Sequence, residues 1–310
     1  MSRTKYAFDA ELKPYAKLYA PVNPLVSRLL QKPMGALYAL ERSDAAVCVA
    51  RYRIPTGEGT HLRALIYAPT QVGGPVPCML FLHGGGFVFN AAPHHFALAR
   101  RFAAELHIKV LLVDYRLAPK YVFPTAHADC LLAYRWLLTH AEALGADANS
   151  LLVCGDSAGG NLAAALCLMA MDAGLPLPRA QLLFYPFLDR RLNTESCMRY
   201  TDTPMCNSQD MHKYLKMYAK NTNAARLAYL SPAEAPSFAK MPPAYIEIAQ
   251  YDCLHDEGAA YAQALRRAGT PAELHEIRAA MHGYDIAQRS KLMQKIMATR
   301  ADFINRVIAK

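Results

Sequence analysis

Short, wholly apolar runs recur along the chain, each followed by a stretch of helical spacing, and this alternation narrows the fold more than any other property. Cys78–Leu82, Val110–Val113, Leu151–Cys154, Leu182–Tyr185 and Tyr245–Ala249 read as strands covered on both faces. Phe96–Leu106, Ala126–His140, Ala158–Ala173 and Glu257–Ala268 read as the helices between them. The third stops at Gly174 with Pro176 beyond, and the fourth is closed by Gly269. Leu274–Ile277 is a further strand and Met293–Ile308 the last helix. Val47–Ile54 and Leu62–Ala68 read as an opening antiparallel pair around a turn at Thr56–Gly59. Strands alternating with helices require right-handed crossovers and a mostly parallel sheet. Ligands of such sheets bind beyond the carboxyl ends of the strands, so the residues just after each strand are where chemistry is sought.

Composition removes other classes. A chain of 310 residues, 53% hydrophobic, can bury a large core without disulfide or metal staples and is too apolar to be disordered. Its longest apolar stretch, Leu162–Met171, falls short of the roughly 18 residues a membrane helix needs. The charge of +9 comes from 34 basic and 25 acidic residues. The basic residues are scattered without blocks, which points to solubility and weak affinity for polyanions rather than to nucleic-acid function. Met1–Glu11 mixes charges and has no apolar centre, so no signal peptide is expected. The eight cysteines include no C-x-x-C pair, and Cys78 and Cys154 sit in apolar runs; reduced thiols and a cytoplasmic location are expected. Residues 1–45 and 187–240 break the alternation. An N-terminal arm and a mid-chain insertion are therefore expected to cover the sheet's active edge.

The strongest local signal is Gly155-Asp156-Ser157-Ala158-Gly159, between an apolar strand and a helix. Glycines at its ends permit a sharp turn that lifts the serine oxygen above the sheet at a helix N-terminus. His83-Gly84-Gly85-Gly86-Phe87 follows another strand. Without G-K-[ST] or G-x-G-x-x-G it is a poor phosphate cradle. It suits an oxyanion hole better, two loop amides joining that of Ala158, where losing one donor typically costs about 3 kcal/mol of barrier. His83 reads as a loop anchor, not a base. A serine nucleophile needs a base and an orienting carboxylate. His282, in Met281-His282-Gly283-Tyr284, suits the base, and Asp252, the first acid past its strand, suits the carboxylate. Asp256 and Glu257 open a helix, where acids oppose the dipole for structural reasons. His94 and His95 are adjacent and cannot share a helix face, and H-E-x-x-H is absent, so no metal and no cofactor are expected.

These residues together resemble the hormone-sensitive-lipase-like (bacterial family IV) carboxylesterases of the α/β-hydrolase superfamily. The resemblance spans about residues 75–290. It rests on His83 to Gly86, Asp114-Tyr115-Arg116-Leu117-Ala118-Pro119, Phe123-Pro124, Gly155 to Asn161, Asp252 to Gly258, and His282-Gly283. It implies an α/β-hydrolase fold over 46–310, a mostly parallel central sheet flanked by helices, with a helical cap from 1–45 and 187–240. It also implies a Ser157–Asp252–His282 triad and an oxyanion hole of Gly85, Gly86 and Ala158, supported by the motif residues His83, Gly84, Gly155 and Gly159. Lys120, His255 and Tyr284 depart from the family's usual Glu, Arg and Phe. The activity implied is cofactor-free hydrolysis of short-chain acyl esters, acetyl to hexanoyl, through an acyl-enzyme. A peptidase or amidase on the same fold and a non-catalytic receptor stay as alternatives. The expected partners are a small-molecule ester and at most a second copy as a homodimer, without nucleic acid or membrane span. The physiological ester, stereochemical preference and oligomeric state are open.

Overall fold

The computed structural model describes residues 5–19, 21–57, 59–220 and 222–309. Eight strands form one sheet in the order β1-β2-β4-β3-β5-β6-β7-β8. They are β1 (Val47–Pro55), β2 (His61–Pro69), β3 (Val76–Leu82), β4 (Lys109–Asp114), β5 (Ala146–Asp156), β6 (Ala180–Phe184), β7 (Ala244–Tyr251) and β8 (Ala272–Met281). β1 pairs with β2, and β2 with β4, antiparallel; every later pairing is parallel. The helices are α1 (Pro24–Leu40), α2 (Pro93–Leu106), α3 (Thr125–His140), α4 (Ala158–Asp172), α5 (Glu195–Arg199), α6 (Ser208–Tyr218), α7 (Leu227–Leu230), α8 (His255–Arg267) and α9 (Lys291–Ile308).

The period of two along β3 explains the two-sided core. Cys78, Leu80 and Leu82 join the layer that holds α3, α4 and α8, while Met79 and Phe81 join the layer that holds α2 and α9. α4 lies almost entirely buried, from Ala158 through Leu168, which accounts for its all-round apolar sequence. Below the sheet, the fully buried Arg300 of α9 donates Nε to Oε1 of Glu247 on β7 at 2.9 Å and Nη2 to Oε2 at 2.6 Å. The hydroxyls of Tyr245 and Tyr284 also donate to this carboxylate.

The expected elements are present with shifted ends. β8 begins at Ala272 and runs to Met281 instead of spanning Leu274–Ile277. It is the sheet's last strand, and Glu273, His275 and Arg278 interrupt the apolar run that marks a covered strand. β5 starts at Ala146, ahead of the expected Leu151, because Asp147 and Asn149 keep its first residues out of the apolar pattern that marks a covered strand. β6 ends at Phe184; Tyr185, expected inside it, has left the ladder with φ at +36°. The turn expected at Thr56–Gly59 contains Glu58, and the stretch Met1–Glu11 contains residues 1–4, all outside the described residues. All eight cysteines are thiols, seven of them buried. No helix among the described residues is long and apolar enough to cross a membrane.

Candidate active site

The carboxyl ends of β5, β7 and β8 deliver three side chains to one place. Ser157 is the first residue after β5 and sits at φ +53°, ψ −118°, a sharp turn into α4. That turn is held from both sides. Ser157 donates its N–H to Phe184 O at 2.9 Å, and its carbonyl accepts from Phe187 N at 3.0 Å. Its hydroxyl does not cap α4 and is free to face His282. Glycine at 159 is required by space: a Cβ there would stand 1.9 Å from the Leu82 carbonyl oxygen on β3. The motif therefore lets helix and strand close to backbone contact, as well as permitting the turn.

His282 follows β8 directly. Its Nε2 lies 2.9 Å from Ser157 Oγ, and its Nδ1 lies 2.7 Å from Asp252 Oδ2. Asp252, just past β7, is fully buried, and its Oδ1 accepts the Leu254 N–H at 3.0 Å. Only Nδ1–H can satisfy that carboxylate, so Nε2 carries the lone pair toward the serine. Burial alone would push His282 down; the Asp252 charge opposes it and raises the imidazole to about 9. Tyr185 packs edge-on against the ring at 4.8 Å.

The glycine loop after β3 lies beside this line. Gly85 and Gly86 both have positive φ, +108° and +61°, and the Gly85 carbonyl accepts from Val88 and Phe89. The N–H groups of Gly85 and Gly86 have no acceptor among the described residues. Ala158, at the first position of α4, has no intrahelical acceptor either. His83 makes its contacts with Gly84 and Tyr115 and no hydrogen bond to Ser157. Its Nδ1–H donates to Gly84 O at 2.7 Å, and Tyr115 stacks on its ring at 4.4 Å while donating to His83 O at 2.6 Å. Burial lowers His83 to about 4, so it stays neutral, as a loop anchor should.

Asp156 and His95 were not foreseen. Asp156 Oδ1 accepts the Gly84 N–H at 2.9 Å and Oδ2 accepts from His95 Nε2 at 3.1 Å. One carboxylate thus joins the glycine loop, the serine turn and α2. The expectation that adjacent His94 and His95 cannot converge is corrected. Their rings lie 3.9 Å apart, and with Asp156 they bring three donor atoms within 4.8 Å of one another. This geometry alone could hold a metal ion. The tautomer argues against it: His95 Nδ1 accepts the Ala92 N–H at 2.8 Å, so the proton resides on Nε2 and points at Asp156. Burial holds His95 near 3, which makes the contact a neutral hydrogen bond instead of an ion pair. A histidine three residues before Leu98, in Ala92-Pro93-His94-His95, was the available signal, but its partner is 61 residues away.

The acids set aside in the sequence do take other roles. Asp256 accepts the Ser196 N–H of α5 at 2.8 Å. Glu257 is fully buried and accepts the N–H groups of Leu188 and Asp189, where the chain leaves the sheet. Burial raises its carboxyl well above the ordinary range, so it is more than a surface acid at a helix start. Of the three departures, Tyr284 donates its hydroxyl to Glu247, His255 lies against Asp256 and Glu276, and Lys120 lies over the Tyr121 ring. The His255 N–H also donates to the Asp252 carbonyl at 3.2 Å, and none of the three side chains hydrogen-bonds to Ser157, Asp252 or His282.

A cavity of about 230 Å³ opens over Ser157 and His282. Leu30 and Met34 of α1 and Met205, Cys206 and Tyr214 from the 187–240 region form much of its wall. Gln31 of α1 donates to Val88 O at 2.8 Å and Ala118 O at 2.7 Å, tying that helix to the glycine loop. Two clefts of about 520 and 630 Å³ are lined by none of Ser157, Asp252 and His282.

The family model of the alpha/beta hydrolase fold matches residues 79–286. Ethyl acetate hydrolase of Pseudomonas putida is 36% identical over 247 residues, 78% of this chain and 77% of that protein. Carboxylesterase NlhH of Mycobacterium tuberculosis is 34% identical over 228 residues, 73% of this chain and 72% of its own length. Among solved structures, bacterial heroin esterase superposes with a TM-score of 0.86 at 30% identity, covering 97% of this chain and 98% of that one.

Proposed function

The chain belongs to the hormone-sensitive-lipase-like family of α/β hydrolases and is a carboxylic ester hydrolase, and from that premise we propose that it works as a cofactor-free serine esterase on short-chain acyl esters. Ser157 attacks the ester carbonyl and His282 Nε2 takes its proton. The amides of Gly85, Gly86 and Ala158 receive the negative oxygen of the tetrahedral intermediate. His282 then protonates the leaving alcohol, and water activated by the same ring releases the acid. Asp252 holds the tautomer and stabilises the imidazolium. Residues 46–310 form the catalytic domain, and 1–45 with 187–240 form the cap that bounds the pocket.

The observation that carries this reading is the unbroken line Asp252–His282–Ser157, at 2.7 and 2.9 Å, beside backbone amides that have no acceptor among the described residues. The preference for short acyl groups rests on the cavity. Its volume of about 230 Å³ is mostly walled by apolar side chains, below the ~300 Å³ at which pockets for drug-sized ligands begin. Hydrolysis of nitrophenyl esters from acetate through palmitate tests both parts. The wild type should favour the short end, and Ser157→Ala should abolish turnover. Turnover unchanged in Ser157→Ala refutes the mechanism; a preference for palmitate refutes the chain-length assignment.

A further inference from the structure

Large apolar side chains that face solvent are concentrated in one stretch of the N-terminal segment. Leu18, Tyr19, Leu25, Leu29, Leu30 and Leu40 are all exposed, whereas the rest of the described chain exposes only Val72 and Met198 to a similar degree. Three of them dominate α1: Leu25 is 68% exposed, and Leu29 and Leu40 are each 65%. On a helix of 3.6 residues per turn, Leu25, Leu29, Ala36 and Leu40 fall within about 60° of one another. The buried residues Ser27, Gly35 and Tyr38 lie on the other side. α1 therefore packs one face on the protein, and the apolar stripe on its other face has nothing among the described residues packed against it.

The charge within this segment has one sign as far as Leu40; Glu41, which follows, is paired with Arg100. From Leu12 to Leu40 the chain carries Lys13, Lys17, Arg28 and Lys32 and no acidic residue. Arg28 and Lys32, on α1, make no ion pair with any described residue. An apolar stripe flanked by unpaired cations matches the hydrocarbon–headgroup boundary of an anionic bilayer, where the leucines enter and the cations meet phosphates. A second copy of the chain fits less well. A two-fold contact centred near the middle of α1 would bring the Lys32 side chains of the two copies together, with Arg28 close by. Leu30 and Met34, which line the cavity, lie on another face of α1, about 80° or more around the helix axis from the stripe.

We infer that the outward face of α1, with Leu25, Leu29 and Leu40 at its centre and Arg28 and Lys32 at its flank, is a docking surface for an anionic lipid bilayer. Docking there holds the chain at the lipid surface, close to esters dissolved in the headgroup region. The surface lies outside the residues assigned to the chemistry, and its existence does not depend on the serine mechanism.

Co-sedimentation with vesicles tests it. Wild-type protein should sediment with phosphatidylcholine vesicles that contain phosphatidylglycerol, far less with phosphatidylcholine alone, and progressively less as salt rises. The double variant Arg28→Gln/Lys32→Gln should bind about twenty-five-fold more weakly, about fivefold per charge removed. Leu25→Ser/Leu29→Ser should weaken binding at least about tenfold by removing apolar area. Both variants should hydrolyse a soluble ester like the wild type when vesicles are absent, which shows that they are folded. Absence of binding to phosphatidylglycerol vesicles, or equal binding by wild type and either variant, overturns the inference. So does a wild-type dimer in light scattering that Leu25→Ser/Leu29→Ser converts to monomer, because the stripe would then be a contact between copies.

Discussion

Replacing Asp252 by Asn keeps the shape of the residue and removes its charge, so it isolates what the carboxylate does for His282. The imidazole stands at about 9 instead of its ordinary 6.5, with burial working against the rise and Asp252 foremost among the groups producing it. That difference is worth about 3 kcal/mol of preference for the imidazolium, the form created when Ser157 gives up its proton. Losing it alone should slow the reaction about a hundredfold. Asn can also present its NH₂ to Nδ1 and force the proton onto Nε2, which faces Ser157 Oγ at 2.9 Å. Fixing that wrong tautomer extends the loss to as much as ~10⁴. The pH profile carries an independent signature. In the wild type the base is available only once His282 has lost its proton, so kcat/KM should climb with pH up to a limb near 9. In Asp252→Asn burial is opposed only by the lesser Cys206 and Asp156 contributions, and the limb should move well below 9. The assay is nitrophenyl acetate hydrolysis from pH 5 to 10, corrected for buffer hydrolysis, with circular dichroism as a check on folding. A variant within tenfold of wild type at pH 9, or one whose limb stays near 9, refutes the reasoning.

Gly86→Ala would place a Cβ 2.3 Å from the Tyr214 ring at a φ of +61°; with the amide displaced, kcat should fall ~10²–10³, measured on the same ester. Arg300→Met leaves Glu247 buried without its cation, which should cost about 3–5 kcal/mol in urea unfolding, and the added change Glu247→Leu should recover most of it. His127 bridges the Tyr218 hydroxyl and the acceptors Asn161 Oδ1 and Tyr229 O, and burial lowers it to about 4. The unfolded chain takes up that proton below about 6.5 and the folded chain does not until about 4, so acid costs the folded state roughly 1.4 kcal/mol per pH unit in between. His127→Gln should remove one such increment from the fall in unfolding free energy between pH 6.5 and 4.5; an unchanged slope contradicts this.

Most strands were legible because a buried parallel strand must be apolar on both faces. Cys78–Leu82 and Tyr245–Ala249 could be read almost to their ends for that reason. β8 was half-read, since an outer strand tolerates Glu273, His275 and Arg278, and polar residues break the only signal available. Ser157, Asp252 and His282 each follow a strand, and their spacing in the chain matches what such a sheet brings together. The supporting polar network was not legible. Asp156, His95, Glu257 and the Glu247–Arg300 pair gain their meaning from partners 53 to 72 residues away, and no local pattern distinguishes a buried charge with a partner from a solvated one. Arg300 lies within the expected last helix, where nothing in the sequence marks it out; in the fold it is fully buried beneath the Phe184 ring.

Intact-mass analysis after exposure to a fluorophosphonate asks most plainly whether Ser157 is a nucleophile. The wild type should gain one phosphonyl group, located on the peptide that contains Ser157, at a rate that increases with pH toward 9. Ser157→Ala should gain none, and His282→Ala should react slower by several orders of magnitude. Labelling of Ser157→Ala at the wild-type rate, or a wild type that stays unlabelled while folded, would contradict the assignment of hydroxyl, imidazole and carboxylate to one catalytic unit.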